Sequence, residues 1–77
     1  MDETEIRSIL EGGLGAGEIR LQSEGNKLML LIVSPKFDGL SRVKRQQLVY
    51  GLLNDKISSG EIHAVSMRCL APGEADA

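Results

Sequence analysis

The sequence has one imidazole and one thiol, His63 and Cys69, the residue types that serve as nucleophile and base or as ligands of iron and zinc. They lie six residues apart in a segment, Ile62 to Leu70, that reads as a strand, so about 20 Å separates them at ~3.3 Å per residue. That distance excludes a Cys–His nucleophile pair. The carboxylates gather at the termini and in turns, and no two converge as general acid and base chemistry requires. The chain therefore reads as non-catalytic. One imidazole cannot hold a metal alone. His63 is then either a strand histidine satisfied by a backbone carbonyl or one ligand of a site that another molecule completes. Cys69 reads as a small apolar packing residue. A single thiol cannot form an internal disulfide, which fits a reducing compartment.

The remaining candidates are charged or glycine-rich. Arg42, Lys44 and Arg45 crowd the first turn of a predicted helix, where the dipole disfavours each cation by about 0.3–1 kcal/mol. They are either a solvated face or a patch that docks phosphate or an acidic protein surface. Between Ile19 and Gly60 seven basic residues stand against three acids, although the whole chain has a formal charge of −2. Gly12-Gly13-Leu14-Gly15 has the spacing of a phosphate-clamping Gly-x-x-Gly, but it falls between a helix and a strand and reads as a helix stop. The position between two consecutive helices, Leu53-Asn54-Asp55-Lys56, has no glycine and carries an acid. Phe37 and Tyr50 are the only aromatics, too few for a base-stacking platform.

Chemistry this sparse must be positioned by one small domain, because 77 residues leave no room for a second. Asp2 is a predicted N-cap with Glu5 three residues on, placed to reach back to the cap's N–H. Ile6, Ile9 and Leu10 make the apolar stripe of this first helix, which Gly12-Gly13 should end. After Gly17 the period becomes two. Ile19 and Leu21 alternate with Arg20 and Gln22, residues 23–26 are turn chemistry, and Lys27 to Val33 is apolar at nearly every position. The two strands should form an antiparallel hairpin, with the second in the middle of the sheet and its second face covered by a helix, a dimer mate or a partner.

Ser34 to Gly39 is a predicted loop, and Ser41 caps a second helix running to about Asn54 with Leu48, Val49, Leu52 and Leu53 inward. A short helical turn or loop follows to Gly60. The third strand, Ile62 to about Leu70, puts His63, Val65, Met67 and Cys69 on one face and should join the sheet in parallel through the helical crossover. The expected fold class is a two-layer α+β domain over residues 1–70, a three-stranded mixed sheet with helices on one face, and 71–77 as a short flexible tail. The longest apolar run is six residues, far below the ~20 of a membrane span. The acidic N-terminus is unlike a leader peptide, so the expected location is cytoplasmic.

Phe37-Asp38-Gly39-Leu40-Ser41-Arg42-Val43-Lys44-Arg45-Gln46-Gln47-Leu48-Val49-Tyr50, followed by Ile62-His63-Ala64-Val65-Ser66, resembles the BolA family. Its Lys-Arg-Gln-Gln stretch is closer to the IbaG-like bacterial branch, and the resemblance covers nearly the whole chain. It implies a type II KH-like order of helix, two strands, two helices and strand, often with a further C-terminal helix. It also implies a non-catalytic partner of monothiol glutaredoxins of the Cys-Gly-Phe-Ser type in iron–sulfur trafficking and iron homeostasis. In such complexes a [2Fe–2S] cluster is shared with the glutaredoxin cysteine and glutathione, and the BolA-like side supplies a histidine matched here by His63, which is then expected to be displayed at the rim of the small sheet. Family members commonly carry His or Cys in the loop between the first two strands. Lys27 stands there in this sequence, and an ammonium donates hydrogen bonds but cannot bind iron. The isolated chain, a monomer or weak homodimer, is expected to bind no cofactor. The resemblance also leaves a stress-linked transcriptional regulator, with Arg42, Lys44 and Arg45 on DNA or RNA phosphates, as the alternative.

Overall fold

The computed structural model describes residues 1–15 and 17–75. Its elements are α1 (Glu3–Leu14), β1 (Glu18–Glu24), β2 (Lys27–Val33), a 3₁₀ turn (Pro35–Phe37), α2 (Arg42–Leu52), α3 (Asn54–Ser58), β3 (Ala64–Leu70) and α4 (Pro72–Ala75). The sheet order is β1-β2-β3, with β1 antiparallel and β3 parallel to the central β2. This is the mixed three-stranded α+β domain that the alternation of periods predicts. Leu28, Leu30 and Ile32 point from β2 into a core closed by Ile6 and Leu10 of α1, Val49 of α2, Leu53 and the 3₁₀-turn Phe37.

The N-cap of α1 forms as expected, with Asp2 Oδ1 accepting from the Glu5 N–H at 3.1 Å. The return bond of a capping box does not form, because the Glu5 carboxylate pairs with the Lys56 ammonium on α3. Gly12 and Gly13 do not end the helix. A Cβ at Gly13 would collide with the Leu52 side chain, so this glycine lets α2 approach α1 closely. The stop comes at Gly15, at φ 52°, whose N–H donates to the Glu11 carbonyl.

Three further boundaries differ from the sequence expectation. The second helix ends at Leu52 and α3 begins at Asn54, because buried Leu53 leaves helical geometry at φ −97°, ψ 7°. β3 starts at Ala64, two residues later than Ile62. Ile62 lies ahead of the pleat, buried in the core, so strand parity does not govern it or His63. His63 is exposed, not in the inward row of Val65, Met67 and Cys69. Residues 72–75, expected to belong to a loose tail, form a turn of helix whose Glu74 reaches back to Arg45, while residues 76–77 of that tail lie outside the described residues.

At the far end of β2, Ser34 is fully buried and knots three segments together. Its hydroxyl donates to the Leu14 carbonyl at 2.7 Å and accepts from the Lys36 N–H at 3.1 Å, while its own N–H donates to Leu70 at 3.0 Å. The side-chain bonds satisfy the last carbonyl of α1 and cap the 3₁₀ turn. Replacing Ser34 by Ala leaves a buried carbonyl and an N–H without that partner, and urea denaturation should show a loss of about 1–3 kcal/mol.

Candidate functional site

The turn between β1 and β2 and the start of β3 meet at one end of the sheet. Gly25, at φ 61°, closes the hairpin, and the carbonyl of the next residue, Asn26, is the acceptor for the chain entering β3. That carbonyl accepts from His63 N–H at 2.8 Å, while buried Ile62 donates its N–H to the Lys56 carbonyl at 3.1 Å. The backbone of His63 is thus held on both sides, and its side chain stands exposed at the rim. Gly60, at φ 83°, lies beneath the ring. Nε2 is 3.5 Å from where a Cβ would stand on it. Lys27, also exposed, pairs in register with Ala64 and so stands beside His63.

These residues offer a metal one ligand. Among the described residues no group of three or more His, Cys, Asp or Glu side chains could hold an ion. Cys69 is in register with Ile32, near the opposite end of the sheet, and burial pushes its thiol up despite the neighbouring Arg45. It cannot share a centre with His63. The donor set therefore does not fit a resident metal.

The basic cluster divides. Arg42 and Lys44 are exposed, and the Ser41 hydroxyl caps α2 by accepting from the Lys44 N–H at 3.2 Å. Arg45, expected to dock a partner or phosphate with the other two, is engaged within the fold. Its side chain is 12% exposed, and its guanidinium donates to the Leu40 carbonyl at 2.9 Å and the Cys69 carbonyl at 3.1 Å. It also grips both carboxylate oxygens of Glu74, at 2.5 and 3.0 Å, clasping α4 onto the end of β3. Lys56, in the segment that would hold a phosphate clamp, is occupied by Glu5 and Glu61. Sequence reading missed the Glu74 clasp because its partner is 29 residues away and carries no spacing signal.

The family described as BolA-like protein matches residues 7–74. The chain belongs to the BolA family. Over 74 residues it is 40% identical to the acid stress protein IbaG of Escherichia coli K12, covering 96% of this chain and 88% of that one. The BolA domain of SufE1 from Arabidopsis thaliana superposes with a TM-score of 0.89 at 33% identity, covering 96% of this chain and 98% of that one. A BolA homologue from Coxiella burnetii superposes with a TM-score of 0.85 at 27% identity, covering 100% and 99%. BolA proteins are in general non-catalytic regulators or partners. Among the described residues no helix is long and apolar enough to cross a membrane.

The Arg45 guanidinium, and after it the Ala71 N–H, hold the Glu74 carboxyl at about 2, below its ordinary 4.5. Between those two pH values the unfolded chain binds a proton that the folded chain refuses, so stability falls as the solution is acidified through that window. Thermal denaturation should separate the wild type from Glu74→Gln at neutral pH, with the gap closing as pH falls from 4.5 to about 2. A gap that survives at the acid end would contradict the clasp.

Proposed function

We propose that this BolA protein is a non-catalytic, cytoplasmic partner of a monothiol glutaredoxin in iron–sulfur trafficking, and that His63 is its contribution to a shared [2Fe–2S] cluster. The observation that carries the reading is an imidazole exposed at the rim of the sheet, with its backbone pinned and, among the described residues, no cluster of His, Cys, Asp or Glu to give it further ligands. The glutaredoxin cysteine and glutathione would supply the thiolates. The relation to a BolA domain within a SufE protein hints at iron–sulfur biology and supports the reading. Neutral imidazole in place of a thiolate makes a cluster less negative and raises its potential. Lys27 places a cation beside the site where many relatives would offer another ligand. Its part is to attract and hydrogen-bond an anionic partner, not to coordinate iron.

The test mixes the protein with a monothiol glutaredoxin, glutathione, iron and sulfide while visible absorption and circular dichroism are recorded. A heterodimer spectrum distinct from that of the glutaredoxin homodimer is expected, and His63→Ala should remove the difference while far-ultraviolet dichroism stays unchanged. No spectral change on mixing rejects the proposal. A nucleic-acid reading retains one favourable observation, the exposed Arg42 and Lys44 at the start of α2. Two phosphate contacts would give a log–log salt slope of about −2, shrinking when both become Ala. Occupied Arg45 and Lys56 leave that surface with little further charge.

A further inference from the structure

The helices cover one face of the sheet, and the other is open. Across that face the register sets Arg20 on β1 and Arg68 on β3 to either side of Leu31 on β2. The next row places Gln22 and Ser66 to either side of Met29. Within these two rows the apolar side chains lie along the central strand, with Met29 39% exposed and Leu31 half-buried. Together the two rows line a shallow cleft. Arg68 makes no ion pair among the described residues. Arg20 meets Glu18 at 3.5 Å, between groups exposed enough for solvent to screen the contact. Two available guanidinium groups therefore bracket an apolar strip.

The dimensions suit one kind of occupant. Neighbouring strands are ~4.8 Å apart, which sets β1 and β3 about 10 Å apart across β2. An α-helix with its side chains is about 10–12 Å wide. A helix lying along β2 covers Met29 and Leu31 with its underside and brings its two flanks over Arg20 and Arg68. We propose that this open face docks an amphipathic α-helix of another protein, whose apolar stripe is bordered on both sides by Asp or Glu. The inference goes beyond the cluster reading and does not depend on it, because His63 lies on the rim rather than on this face. A second copy is a poorer occupant, since face-to-face packing sets both pairs of arginines against the same strip. Nucleic acid is poorer too. The face offers no aromatic ring, and Glu18 and Glu24 at the two ends of β1 restrict an occupant's carboxylates on that flank to the middle of the strand, over Arg20, which a continuous phosphate backbone cannot satisfy.

The test uses a synthetic helical peptide of about 15 residues, roughly 23 Å, the length of a seven-residue strand. It carries a Leu stripe with Glu on both flanks, and a twin has Lys in place of Glu. Both are titrated against the isotopically labelled full chain by nuclear magnetic resonance. The Glu-flanked peptide should shift the amides around Arg20, Met29, Leu31 and Arg68. Its affinity should fall at least tenfold in the Arg20→Glu, Arg68→Glu double variant, which should then prefer the Lys-flanked twin. Met29→Ser, which leaves the charges in place, should also weaken binding. Absence of shifts on this face, equal binding of both peptides by the wild type, shifts centred on α2, or self-association through this face at the same concentrations would each overturn the proposal.

Discussion

The arrangement depends on β2 being unable to stand at an edge. Lys27–Val33 is apolar on both faces, and its backbone groups must be paired on both sides to leave water. Pairing β1 on one side and β3 on the other satisfies them and makes the two ends of β2 the junctions of the molecule. At its beginning, the Asn26 carbonyl catches the start of β3 and fixes His63. At its end, Ser34 catches the end of β3 and the end of α1. The candidate ligand and the most buried polar knot are thus opposite consequences of one central strand.

What could be read in the sequence is what local periodicity decides. The alternation in β1, the continuous apolar run of β2 and the Ser41 cap all express pairwise rules that act over a few residues, and each appears in the structure. The features that escaped are set by tertiary approach. Gly13 looks like a terminator until Leu52 is known to press on it. His63 looks like a strand residue until Ile62, buried ahead of the pleat, is seen to end the alternation. The change matters at the site, because a ring in the inward row would lie against the core, whereas the observed one faces solvent. The candidate ligand and its display at the rim of the sheet were expected from residue type and family resemblance, whereas the two-residue alternation alone put it in the row of Val65, Met67 and Cys69.

The basic start of α2 shows the same limit in electrostatic form. Three cations at a helix N-terminus oppose the helix dipole, and a sequence that tolerates them invites a functional explanation. For Arg45 the compensation is internal. Two backbone carbonyls and the Glu74 carboxylate receive its donors, so its charge is spent on tying α4 to the sheet. Arg42 and Lys44 have no such compensation among the described residues and remain the exposed part of the cluster. A planar guanidinium can fork across a carboxylate and still reach a carbonyl. An ammonium cannot reproduce that geometry, so three similar letters carry different roles.

A domain of this size buries a smaller share of its surface than a larger one, and it has helices enough for one face of its sheet. The uncovered face must then tolerate the outward side chains of a strand chosen for its apolarity. In the two middle rows, charged and polar residues on β1 and β3 confine that surface to the central strand, which also discourages edge-to-edge pairing with another sheet. Solubility alone would be served by any charge at those positions. Arginine at both ends of the Leu31 row does more, because its long apolar stem extends the strip while its head supplies directed donors. The arrangement that protects the strand from its own kind leaves it receptive to a surface of opposite charge.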